Sequence, residues 1–202
     1  MIDRRETLED LIRLKDKNII KVVTGIRRCG KSTVFALFQD YIKNSGVKED
    51  QILNVNLEDG DFRNIRTSKE LYEYIDDRLI KDRMNYVFLD EVQQVSNFQE
   101  SVDWLYVKKN VDLYITGSNA FLLSGELAPI LAGRYIEIKM QLLSFKEYVS
   151  AYPDNTNLPA LYIKYLQNSS FPGTLELVKV KDKRAYLEGS YNTILIKNII
   201  TR

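Results

Sequence analysis

The chain has 202 residues, 45% apolar and 28% charged, with a net charge of +1; that is ordinary for a globular protein of one good-sized domain, or a domain plus a small appendage. So balanced a charge gives no global field toward nucleic acid or anionic membrane. There is no histidine and a single cysteine, Cys29, which excludes histidine-based acid–base catalysis, Ser-His and Cys-His nucleophiles, most zinc sites and any internal disulfide.

The first ten residues, MIDRRETLED, are charged and lack the apolar run of a signal peptide. No apolar stretch approaches the roughly 20 residues of a membrane helix. The expectation is a soluble, cytoplasmic protein with no membrane partner. Strands and helices then alternate. Ile19 to Thr24 is a short β-rich run that meets Gly25. Val34, Leu37, Phe38, Tyr41 and Ile42 follow at helical spacing, and Asn44-Ser45-Gly46 signals the end of that helix. Ile52 to Asn56 reads as a second strand. Leu71, Tyr74, Ile75 and Leu79 mark a second amphipathic helix, with Ser68 as the expected N-cap. Tyr86 to Leu89 is a continuous apolar run ending in Asp90-Glu91. Phe98, Val102, Leu105 and Tyr106 give a third helix, and Val111 to Thr116 a fourth strand ending at Gly117. After a loop and a short helix, Tyr135 to Met140 alternates as a fifth strand. From Tyr152 the chain becomes polar and turn-rich. Beyond it Leu161, Tyr165 and Leu166, and then Leu187, Tyr191, Ile194, Leu195 and Ile199, have helical spacing, with a break at Ser169 to Gly173. Strand–helix alternation with short apolar strands predicts a parallel sheet covered by helices on both faces.

Gly25 to Ser32 match the phosphate-binding loop pattern G-x-x-x-x-G-K-[ST], or Walker A, at every fixed position, between a strand and a helix. The chemistry needs these residue types. Gly25 and Gly30 let the backbone turn so that N–H groups of Ile26, Arg27, Arg28 and Cys29 face phosphate oxygens. The helix that starts near Lys31 and continues through Thr33 adds its positive dipole end. Lys31 reaches the β- and γ-phosphates, and the Ser32 hydroxyl ligates Mg²⁺. Cys29, beside Arg27 and Arg28 at a helix start, has surroundings that favour thiolate; the other reading is a small filler at a variable position.

A buried strand ending in an acid delivers a carboxylate beside such a loop, so Asp90 is the candidate metal residue (Walker B) and Glu91 the candidate base for an attacking water. Thr116-Gly117-Ser118-Asn119 ends the fourth strand, and Ser118 and Asn119 are the candidates to orient that water and read the γ-phosphate; Asn119 is equally a helix N-cap type. Arg134, at the start of the fifth strand, is either an arginine finger acting on a neighbouring copy or one half of a structural ion pair.

Taken together, GIRRCGKST, FLDEVQ (Phe88 to Gln93), YITGSNAFLLSGELA (Tyr114 to Ala128), AGRYIEI (Ala132 to Ile138) and LSFKEY (Leu143 to Tyr148) resemble the prokaryotic ATP-binding proteins of the AAA+ superfamily, in the subgroup whose core precedes a C-terminal domain of unknown function. The resemblance runs from about Ile2 to Arg202. It departs at Leu142, where proline is usual, and at Pro129, where threonine is usual. It implies a P-loop NTPase three-layer α/β sandwich with a five-stranded parallel sheet in the order 5-1-4-3-2. It also implies ATP and Mg²⁺ as ligands, a core over residues 1–151, and a helical extension over 152–202 that begins a lid or linker to a further domain. The function it implies is a Mg-dependent ATPase that couples hydrolysis to a conformational change on a partner. The partner could be another copy in a homo-oligomer, or a protein or nucleic acid held through the further domain. The alternatives are a slow nucleotide-gated switch or scaffold, and a P-loop small-molecule kinase, though no clear arginine-rich lid is present. No N-K-x-D guanine-reading motif occurs.

Overall fold

The computed structural model describes residues 2, 4–118, 131, 133–152 and 156–195. The chain divides into two compact units: one comprises Glu6–Gly25 and Lys31–Lys139, the other Met1–Arg5, Ile26–Gly30 and Met140–Arg202.

The first unit is built on five parallel strands: β1 (Ile20–Gly25), β2 (Ile52–Asn56), β3 (Asn85–Asp90), β4 (Val111–Ser118) and β5 (Tyr135–Lys139). Their spatial order is β2-β3-β4-β1-β5, the same as the expected 5-1-4-3-2 read from the other edge. All the pairings are parallel, so every carboxyl end lies along one edge of the sheet. β1 and β3 are buried along their whole length, as suits central strands of a sheet covered on both faces.

The two faces carry different cores. Val87, Leu89, Leu113 and Ile115 point to one face and pack with Leu71 and Ile75 of α3 (Ser68–Asp76) and Phe98, Val102 and Leu105 of α4 (Phe98–Tyr106). The other face is aromatic. Phe35 and Phe38 of α2 (Lys31–Asn44) meet Phe88 edge-on at 5.1 and 6.0 Å, and Phe88 stacks on Tyr114 at 4.8 Å. Each such pair contributes about 0.5–1.5 kcal/mol beyond area burial.

A charged network lies beneath this aromatic layer. Lys21, in the middle of β1, is fully buried and ion-paired with Asp112 of β4. Its ammonium also donates to Lys17 O at 2.7 Å. Asp112 Oδ2 accepts from Tyr114 Oη at 2.7 Å and from the Asp16 amide at 2.8 Å. Burial pushes the Lys21 ammonium below the usual lysine range, against the pull of Asp112. Burial, with Asp112 beside it, drives the Tyr114 hydroxyl far above the usual tyrosine range. The network ties the start of β4 to β1, the strand that leads into the phosphate-loop sequence.

Two local features differ from the sequence expectation. The N-cap of α3 is Thr67, one residue before Ser68. Thr67 Oγ1 accepts from the Glu70 amide at 3.3 Å and Glu70 Oε2 accepts from the Thr67 amide at 2.9 Å, a capping box that counting from Ser68 hides. The charged N-terminus forms a helix, α1 (Arg5–Leu14), whose buried residues are Leu11 and Leu14; two apolar contacts three residues apart are a weak signal among so many charges. The short helix expected after Gly117 falls outside the described residues.

The second unit contains α5 (Phe145–Ser150), α6 (Leu158–Asn168) and α7 (Val180–Leu195). Its core is Leu143, Tyr148 and Leu161, with Phe145, Val149, Tyr165 and Leu175 packed around them. Among the described residues no helix is long and apolar enough to cross a membrane.

Removing Asp112 would leave the buried Lys21 ammonium without its ion-pair partner. Asp112→Ala is therefore expected to lower stability by about 3–5 kcal/mol, measured by urea denaturation at pH 7. A loss under about 1 kcal/mol would show that the network contributes little to holding β1 on β4.

Candidate functional site

At the carboxyl edge of the first unit, register decides which side chains meet. Val23 of β1 lies opposite Thr116 of β4, and Gly25 opposite Ser118. Leu89 of β3 lies opposite Ile115, which places Asp90 beside Thr116. The Thr116 hydroxyl, fully buried, donates to Asp90 Oδ1 and accepts from the Glu91 amide at 3.0 Å. One hydroxyl thus fixes both acids. Asp90 is 3% exposed, and this hydrogen bond meets part of the cost of burying a carboxylate.

Glu91 leaves the strand with φ 55° and ψ 51°, in the left-handed region. For a side-chain-bearing residue this conformation costs on the order of 1–3 kcal/mol and persists only where surrounding bonds over-determine it. Here they do. Its amide is held by Thr116, and its carboxylate accepts from Gln93 Nε2 and lies 3.2 Å from Lys31 Nζ. Lys31 opens α2, is 4% exposed, and also donates to Gly25 O at 3.4 Å. The unit therefore gathers Gly25, Lys31, Asp90, Glu91 and Thr116 at one edge. Ser32 and Thr33 follow Lys31 in the first turn of α2, exposed to solvent.

Residues 26–30, the interior of the phosphate-loop sequence, group with the second unit. The loop turns through two left-handed positions, Arg28 at φ 66° and Gly30 at φ 102°. The Cys29 amide donates to Ile26 O at 3.2 Å. Cys29 itself is fully buried. Arg28 donates to Ser190 Oγ at 3.0 Å and lies over the Tyr186 ring at 5.2 Å. Arg27 is half-buried.

Of the remaining candidates, Ser118 is the last residue of β4, and Asn119 lies outside the described residues. Arg134 precedes β5, is paired with Asp103 of α4 and lies over the Tyr106 ring at 5.6 Å. That is the ion-pair arrangement set against the finger role in the sequence. Thr116 and Gln93 were not singled out from sequence. Each stands inside a quoted motif, but only the cross-strand register shows that Thr116 meets Asp90.

Among the described residues no group of three or more His, Cys, Asp or Glu could hold a metal ion. A buried carboxylate, Asp90, on the edge that also gathers the start of α2, with the Ser32 hydroxyl in that helix's first turn, is the kind of donor set expected for Mg²⁺, which keeps most of its waters and shares phosphate oxygens rather than filling a protein cage. The residues fit that ion.

The AAA domain family model matches residues 17–149. The chain is similar to an uncharacterized protein of Haemophilus influenzae, 36% identical across 100% of this chain and 51% of that one. It is also similar to an uncharacterized protein of Methanocaldococcus jannaschii, 32% identical across 92% and 43%. It thus spans about half the length of these curated relatives. Among solved structures, a Walker-type ATPase of Pyrococcus abyssi superposes with a TM-score of 0.59 at 17% identity, over 98% of this chain and 71% of that one, a likeness that shows the fold. The chain belongs to the AAA domain family, within the AAA+ superfamily.

Proposed function

We propose that the chain binds ATP with Mg²⁺ and hydrolyses it, coupling turnover to a conformational change passed to a partner. The observation that carries this is the meeting of Lys31, Asp90 and Glu91 at the carboxyl edge of a parallel sheet, where open α/β sheets bind their ligands.

In this reading the backbone amides of the segment Gly25 to Thr33 receive the phosphates. The Lys31 ammonium neutralises the β- and γ-oxygens. Ser32 and Asp90 would hold Mg²⁺, which when bound supplies further charge neutralisation at the phosphate oxygens. Glu91 accepts a proton from the attacking water. Thr116 keeps the Asp90 carboxylate and the Glu91 backbone in fixed relation, which is positioning rather than chemistry. Ser118 and Asn119 remain the proposed readers of the γ-phosphate. An Arg134 acting on a neighbouring copy would first have to leave Asp103.

The 3.2 Å Lys31–Glu91 pair favours a gated form of this activity. The cation meant for phosphate and the base meant for water neutralise each other. An incoming phosphate competes for Lys31 and so frees the Glu91 carboxylate. Turnover that is slow until a partner or second copy completes the site follows naturally, and brings the switch reading close to the ATPase reading.

Three variants test this assignment by calorimetric binding and phosphate release. Lys31→Ala is expected to weaken MgATP binding by about tenfold or more; wild-type affinity would remove Lys31 from the site. Glu91→Gln is expected to bind MgATP at least as tightly as the wild type, having lost the competing carboxylate, while phosphate release falls about 100-fold or more. Normal hydrolysis in that variant would take the base role from Glu91. Thr116→Val leaves the Glu91 amide unpaired and is expected to slow phosphate release about tenfold; an unchanged rate would show that the hydroxyl bridge does not position the acids.

A further inference from the structure

The second unit contains a buried arginine that the motifs do not account for. Arg4 is 5% exposed. Its Nη1 donates to Gln141 O at 3.2 Å and to both carboxylate oxygens of Glu147 at 3.2 Å. Its Nη2 donates to the carbonyl of Cys29, in the phosphate-loop sequence. The same nitrogen stands 3.7 Å from where a Cβ on Gly30 would lie. Glu147 is itself fixed, since Oε2 accepts from the Ser144 amide at 2.7 Å and from Ser144 Oγ at 3.0 Å in the capping box that starts α5.

We infer that Arg4 is a positioning residue for nucleotide binding: it clamps the phosphate loop by its Cys29 carbonyl and anchors it to α5 through Glu147. The inference rests on the proposed binding of phosphate by this loop and adds a residue from outside it. Burying a guanidinium is costly unless it is paired and hydrogen-bonded. Here Glu147 neutralises the charge, and the rigid fork leaves donors aimed at two backbone carbonyls in different directions. One of those carbonyls belongs to the loop whose amides must face phosphate. Across a planar trans peptide bond the Gly30 N–H points opposite to the Cys29 carbonyl, so holding that carbonyl fixes the direction of the Gly30 N–H. A lysine, with one ammonium at the end of a flexible stem, cannot reach Glu147, Gln141 O and Cys29 O in this fixed geometry.

Two readouts test the clamp. The first is MgATP affinity. Arg4→Ala is expected to raise the Kd by about tenfold or more. Arg4→Lys should fall between it and the wild type, and Glu147→Gln should weaken binding with Arg4 intact. The second needs no nucleotide. Cys29 is the sole cysteine and fully buried, so its labelling rate by a small thiol reagent reports the loop directly. Labelling is expected to be faster in Arg4→Ala and in Glu147→Gln than in the wild type. A role in stability alone would lower the melting temperature and leave the Kd of the folded fraction unchanged. Wild-type Kd and wild-type labelling in Arg4→Ala overturn the inference. If that variant does not fold, the same result in both Arg4→Lys and Glu147→Gln overturns it. If the wild-type chain binds no MgATP, the nucleotide assignment falls. The labelling rates then decide the clamp on their own.

Discussion

Parallel pairing is the constraint on which the rest of the site depends. Because β1, β3 and β4 run the same way, their carboxyl ends share an edge, and Gly25, Asp90 and Ser118 arrive there together. A parallel sheet needs a covering layer on each face, and the sequence supplies two different ones: aliphatic under α3 and α4, aromatic under α2. The Lys21–Asp112 pair adds register to that packing. An apolar pair of the same volume would pack as well, but it would not give the Asp16 amide and the Tyr114 hydroxyl a shared acceptor.

At the edge, the chemistry is organised by one hydroxyl and one ion pair. Thr116 holds Asp90 by its side chain and Glu91 by its backbone, so the two acids cannot drift independently. Lys31 and Glu91 then neutralise each other. The left-handed turn at Glu91 is what lets a residue following the strand swing its carboxylate back toward the start of α2. The edge therefore contains both a reason for order and a reason for restraint. An anion that engaged Lys31 would change the surroundings of Glu91, and the proposed link between nucleotide and base rests on that contact.

The strands were legible in the sequence because apolar runs such as Tyr86 to Leu89 and β-rich runs such as Ile20 to Val23 have few other uses in a chain of alternating elements; their spatial order came from the family resemblance and agrees with the sheet. The motif residues Gly25 to Thr33, Asp90 and Glu91 were legible as types at a spacing. What spacing does not contain is register. Thr116 stood two residues from the chosen Ser118, and only the alignment of β3 on β4 shows that it meets Asp90. Arg4 was hidden for a similar reason, since its partners Cys29 and Glu147 lie 25 and 143 residues along the chain. The α3 cap slipped by one residue because Thr67 and Ser68 are both cap formers, and Glu70 chooses between them.

The most direct test of the central claim is calorimetric titration of the wild-type chain with ATP, with and without Mg²⁺, paired with steady-state phosphate release over a range of protein concentrations. The account expects saturable, Mg²⁺-dependent binding, with a release rate per protomer that is low when the protein is dilute and rises with concentration. The absence of any ATP binding would contradict it, because an AAA domain with this loop and these edge acids would then be doing something other than holding a nucleotide.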